Sequence, residues 1–159
     1  MALKNFFFLL KYPFYRAYHR STGKFCGYSY TEYDAIEDGW KNAFGKALSD
    51  DIKLAGKLSR ERLHKHLSWK KMIQWQQIKE KWGHLCLYAS GTQEILDVLN
   101  KYEELSKKHC IHCGRSTKYK TTGYMLYLCE NCFDEYIKSN CKITSDEMFD
   151  EYKEFCLID

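Results

Sequence analysis

Trp40, Ala43, Phe44, Ala47, Leu48, Ile52 and Ala55 recur at steps of three and four residues. That spacing puts them on one stripe of an amphipathic helix of about four turns. Thr31, Asp34 and Asp38 offer caps upstream, and Gly56 reads as the stop. A second stripe, Ile95, Val98, Leu99, Tyr102 and Leu105, follows Ser90-Gly91 with Thr92 as its N-cap. Between the two helices the period changes to two. Ile73 and Trp75 alternate with Gln, and Leu85 and Leu87 alternate with their neighbours, which predicts a β-hairpin turning near Gly83. The Gln and Lys of the first arm leave a helix open there. Residues 58–69 are basic and read as loop or short helix. Thr144-Ser145-Asp146-Glu147 is expected to cap a short acidic helix with Met148, Phe149, Tyr152 and Phe155 turned inward.

Two cysteine pairs change the picture. Cys110-Ile-His-Cys113 and Cys129-Glu-Asn-Cys132 are separated by fifteen residues, with Gly114 directly after the first pair. Each Cys-x-x-Cys turn aims two thiolates at one centre, and the intervening chain is long enough for a hairpin to bring the turns together. The second pair runs into Phe133-Asp134-Glu135-Tyr136-Ile137-Lys138, a helix whose positive N-terminal end stabilises thiolates. The expected cofactor is a structural zinc ion held by Cys110, Cys113, Cys129 and Cys132; two disulfides or a redox pair are the alternatives. Four thiolates fill a tetrahedron and leave no position for an activated water. His109 and His112 lie close by in sequence, but four thiols make them unnecessary as ligands.

The fold class expected is therefore α+β, with helices around a small antiparallel β-hairpin or sheet and a C-terminal four-cysteine, treble-clef-like zinc finger. Residues 1–106 are expected to form the α+β domain. Residues 107–159 form the finger and the acidic helix, packed with it as one unit. The 159 residues suffice for a real core. The unpaired spacing of Cys26, Cys86, Cys141 and Cys156, beside the zinc motif, points to a reducing cytosol. The apolar run at residues 1–10 is short, lacks a small-residue cleavage site and is too short to span a bilayer, so a docked N-terminal helix is expected.

The net charge of +4 is unevenly distributed. Residues 53–81 carry nine Lys or Arg against two Glu, and residues 121–159 carry three Lys against nine Asp or Glu. A basic stretch suits phosphates or an acidic protein, and an acidic end suits a basic surface. Both also suit ordinary solvated helix faces.

Three stretches form a recognisable set. The first is Thr31-Glu32-Tyr33-Asp34 with Gly39-Trp40 and Ala43-Phe44-Gly45. The second is Gln77-Ile78-Lys79-Glu80-Lys81-Trp82-Gly83 with Leu85 and Tyr88. The third is Lys101-Tyr102-Glu103-Glu104-Leu105-Ser106, leading into Cys110, Cys113-Gly114, Gly123-Tyr124 and Leu128-Cys129 with Cys132. The set resembles a family of small zinc-binding proteins carried by phages and mobile elements of low-GC bacteria, over most of residues 11–136. His84 and Cys86 depart from the small and basic residues expected there, and the tail beyond about residue 137 is particular to this chain. The resemblance implies the cytoplasm of a bacterial host cell. By analogy of class and size it also implies an anti-CRISPR protein, an inhibitor of a CRISPR effector nuclease.

These residues bear on three function classes. A His-Asn-His nuclease needs a general-base His between the knuckles, and residues 114–128 contain neither His nor Asn. No nucleophile–base–orienter set stands out, so an enzyme is not expected. A nucleic-acid binder would use Lys70, Lys71, Lys79 and Lys81 on phosphates, with Trp69, Trp75 and Trp82 for stacking. A protein-binding inhibitor accounts for thirteen Tyr, nine Phe and four Trp as a surplus of stiff contact residues. Its acidic end, Asp146, Asp150, Glu151 and Glu154, would dock in the basic channel of a nuclease. That inhibitor is the favoured expectation, with a zinc-stabilised DNA- or RNA-binding protein as the alternative and no membrane partner.

Overall fold

The computed structural model describes residues 2–140 and 146–158, without the side chains of residues 146–147. It is an α+β protein. In chain order come α1 (Ala2–Lys11), 3₁₀ turns at Pro13–Tyr15 and Glu32–Ala35, α2 (Asp38–Trp40), a π-helical turn (Lys41–Gly45) and α3 (Lys46–Leu63). Then follow α4 (Trp69–Met72), β1 (Ile73–Lys81), β2 (His84–Gly91), α5 (Gln93–Ser106), β3 (Tyr119–Lys120), β4 (Tyr127–Leu128), α6 (Glu130–Asn140) and α7 (Asp146–Phe155). β1 and β2 form one two-stranded sheet and β3 and β4 another. The chain divides into two compact units that interleave in sequence. One holds residues 1–36, 46–79 and 86–102; the other holds residues 37–45, 80–85 and 103–159.

The first unit is built on aromatic packing. Tyr15 is fully buried, stacks parallel to Trp75 at 5.8 Å and meets Phe8, Phe14 and Tyr33. Trp75 is held by its indole N–H, which donates to Phe14 O at 2.8 Å. Each such ring pair adds about 0.5–1.5 kcal/mol beyond the area it buries. Much of the aromatic surplus is therefore spent inside this unit. Leu48, Ile52 and Ala55 of α3 and Ile95, Leu99 and Tyr102 of α5 are buried as their periodicity predicts, whereas Ala47 is exposed. In α1 only Leu9 is buried, and Leu3, Phe7 and Leu10 are exposed.

Gly56 does not stop the helix. It lies inside α3, which runs on to Leu63. A Cβ at Gly56 would stand 2.4 Å from the Trp69 ring, so the glycine makes room for an indole instead of ending a helix. The basic residues 58–63 are consequently helical, and the chain turns only at His64, where φ is +49°.

The hairpin forms as predicted. Trp82 and Gly83 have φ of +53° and +78°, the double left-handed geometry of a two-residue type I′ turn. Glu80 Oε1 accepts the Gly83 N–H at 2.6 Å and fixes the turn.

In the second unit, Trp40 is fully buried and its indole N–H reaches Ser106 O (3.1 Å) and His109 O (3.2 Å). Phe133 of α6 stacks between Tyr119 (4.4 Å) and Tyr152 (6.1 Å). Tyr119 pairs Leu128 and Lys120 pairs Tyr127 in antiparallel register. The tail after α7 returns to β3: Cys156 O accepts from Lys120 N at 2.8 Å, and Ile158 N donates to Lys118 O at 3.0 Å. α7 therefore turns Phe149 and Tyr152 inward, and Cys156, directly after the helix, is buried. Met148 and Phe155, expected inside, are exposed because they lie off that stripe. The expected caps Thr144 and Ser145 lie outside the described residues.

Candidate metal centre

The first knuckle is a tight turn. Cys110 N donates to Arg115 O (2.7 Å) and Gly114 N to Cys110 O (2.8 Å), with Gly114 at φ +84°. That backbone region favours glycine. The place is also crowded: a Cβ on Gly114 would stand 2.4 Å from Gly39 O. Gly39 in turn donates its N–H to Ile111 O at 3.0 Å, so the start of α2 lies directly on the knuckle backbone. The second knuckle opens α6. Cys129 precedes the helix and accepts the Phe133 N–H at 2.9 Å, and Cys132 stands in its first turn. The β3–β4 pairing joins the two turns.

The four Sγ atoms of Cys110, Cys113, Cys129 and Cys132 all lie within 4.8 Å of one another. Cys113 Sγ and Cys129 Sγ are 3.5 Å apart, and all four thiols are free. Thiolate–metal bonds of about 2.3 Å in a tetrahedron put sulfurs roughly 3.8 Å apart. The cluster fits an ion of that kind. Among the described residues it is the one group of three or more His, Cys, Asp or Glu donors placed to share an ion.

The electrostatics are compatible with a cation. Burial pushes Cys129 and Cys132 up from the ordinary thiol range. Burial would raise Cys113 too, but the Arg115 backbone N–H and the neighbouring thiols outweigh it and bring the group down to about 7. Four sulfurs so close cannot all ionise without a positive partner. Arg115 contributes part of that charge and is itself raised, first through its hydrogen bond to Cys113.

His109 is used elsewhere: its Nδ1 lies 2.9 Å from Gly114 O, as donor to the knuckle carbonyl, and its ring meets Phe44 edge-on at 5.8 Å. His112 is exposed and outside the cluster. The Gly39–knuckle approach was missed in the sequence, where Gly39-Trp40 read only as a helix start.

The acidic residues sit on α7. Asp150, Glu151 and Glu154 are exposed, while the Asp146 side chain lies outside the described residues. Lys153, in their midst, faces α6 and pairs with Glu130 (3.2 Å) and Asp134 (3.1 Å). It therefore neutralises α6 carboxylates. Of the four lysines singled out, Lys70 and Lys71 are exposed and Lys79 and Lys81 half-buried. Lys70 lies over Tyr18 (4.9 Å), Lys79 over Tyr88 (5.5 Å) and Lys81 over Trp82 (4.2 Å). Lys81 belongs to the second unit and the other three to the first.

No helix among the described residues is long and apolar enough to cross a membrane. No family model, curated protein or solved structure matches this chain.

Proposed function

We propose that Cys110, Cys113, Cys129 and Cys132 hold a structural zinc ion, and that the protein is a non-enzymatic inhibitor acting through protein contact. Its partner on this reading is a host defence nuclease, in the first instance a CRISPR effector. The carrying observation is the closed four-thiol cluster: every donor is used, so the ion rigidifies a scaffold and offers no open position for chemistry. The exposed carboxylates of Asp150, Glu151 and Glu154, with Lys153 turned away to α6, support a docking face for a basic channel. The resemblance to phage-carried proteins supports the choice of partner.

The test is capture of effector nucleases from a bacterial lysate, with and without nuclease digestion, followed by a cleavage assay. Replacing Asp150, Glu151 and Glu154 by Lys is expected to slow association, and added salt to produce a similar loss. Binding of DNA or RNA alone at physiological salt, with no nuclease bound in its absence, would sink the reading. The second reading, nucleic-acid binding through Lys70, Lys71, Lys79 and Lys81, would then take over; the exposed Trp82 beneath Lys81 favours it.

A further inference from the structure

A cleft of about 680 Å³ opens in the first unit, between residues 13–32 on one side and residues 60–76 on the other. That volume is typical of small-molecule sites. Arg16, Arg20, Arg60 and Lys70 line it against a single carboxylate, Glu32. Among the described residues none of the four cations forms an ion pair. Their contacts are to neutral groups. Arg20 donates to Gln76 O, Arg60 Nε donates to Leu67 O at 2.9 Å, and Lys70 rests over Tyr18. Burial raises the Glu32 carboxyl from its ordinary value, and the nearby Arg20 charge opposes the rise.

The remaining wall is aromatic. Trp69 and Trp75 line the cleft with Tyr18 and Phe14. Trp75 is fixed by its bond to Phe14 O and its stack on Tyr15. Trp69 is wedged against Gly56 and Phe14, with the Arg60 guanidinium 4.8 Å over its ring. Rigid indoles beside unpaired guanidiniums are complementary to a ligand that carries both a flat π-face and an anion. A buffer anion would use only half of this surface.

We infer that the cleft is a nucleotide site, taking an aromatic base against its indoles and the phosphate against Arg16, Arg20, Arg60 and Lys70. The nucleotide is either free or one unit of a single strand; the shared chemistry is base plus phosphate. The site is independent of what the acidic helix docks on, and the two readings stand or fall separately.

Isothermal titration of the full chain tests this, with AMP, UMP, adenosine, inorganic phosphate and a ten-nucleotide single-stranded DNA as probes. At least one nucleotide should bind one-to-one, about ten-fold or more tighter than adenosine or phosphate alone. Arg16→Ala should weaken that binding about ten-fold, and Lys53→Ala, outside the cleft, should leave it unchanged. If Arg16→Ala lowers the melting temperature, the exposed Lys70→Glu serves in its place. Tighter binding of the oligonucleotide assigns the site to a strand, and equal binding assigns it to the free nucleotide. No saturable binding of any nucleotide probe at millimolar concentration overturns the inference. So does phosphate binding as tightly as AMP, or undiminished binding in both cleft variants.

Discussion

Gly39→Ala separates two opposed effects of one methyl group. Gly39 lies in the first turn of α2, and alanine in a helix is better than glycine by about 0.8–1 kcal/mol, so local propensity alone forecasts stabilisation. The structure forecasts the reverse. A Cβ at residue 39 would stand 2.3 Å from Cys110 O and from Ile111 O, both main-chain atoms inside the first knuckle. No rotamer change relieves a clash with a carbonyl whose own position is set by two cysteines. Either α2 lifts away, loosening the Gly39 N–H bond to Ile111 O at 3.0 Å, or the knuckle distorts. Overpacking costs about 1–3 kcal/mol. A lost hydrogen bond adds about 1 kcal/mol. After the propensity gain the net loss is about 1–3 kcal/mol, or roughly 2–12 °C in melting temperature for a chain of this size. Differential scanning fluorimetry of the metal-loaded protein measures it, with chelator competition as a second readout, since a distorted knuckle should also surrender its ion sooner. A variant as stable as the parent, or more so, would show that the α2–knuckle approach is not close in solution.

Three further outcomes are expected. Elemental analysis of protein purified without chelator should find one zinc per chain, and Cys129→Ser should unfold the cysteine-bearing unit, because structural zinc contributes roughly 10 kcal/mol or more; absence of stoichiometric metal would reject the site. Phe44→Ala should cost about 3–5 kcal/mol by denaturant titration, since the ring is 5% exposed and packs on His109; an unchanged midpoint would place Phe44 on a surface. The Glu94 carboxyl is held down to about 2, first by Arg62, then by its own helix-start N–H and Ser59. A carboxylate whose folded pKa is depressed stabilises the fold above its ordinary value of about 4.3 and loses that contribution as pH falls toward 2. The melting temperature should drop across that window, and Glu94→Gln should flatten part of the drop; identical pH profiles would show that the Arg62 pair contributes nothing.

The cysteine cluster was legible in the sequence because a Cys-x-x-Cys turn is a local object: two residues of spacing already aim two sulfurs at one point. The helical stripes at Leu48, Ile52, Ile95 and Leu99 and the hairpin at Trp82-Gly83 were legible for the same reason, since their periods and turn chemistry are set within a few residues. Gly56 shows where local reading stops. As a chain signal it is a helix terminator; in the fold it is a notch for an indole thirteen positions away in sequence, and nothing near Gly56 announces Trp69. The outward turn of Met148 and Phe155 is likewise settled by where the tail after α7 pairs with β3, which is a non-local bond. The grouping of residues 37–45 and 80–85 with the cysteine-bearing unit came only from the folded chain. The cleft is the extreme case. Arg16, Arg20, Arg60 and Trp69 are scattered over more than fifty positions, and their chemistry exists only once packing brings two distant stretches face to face. Short spacings are encoded in covalent geometry, whereas long ones are decided by which surfaces exclude water together.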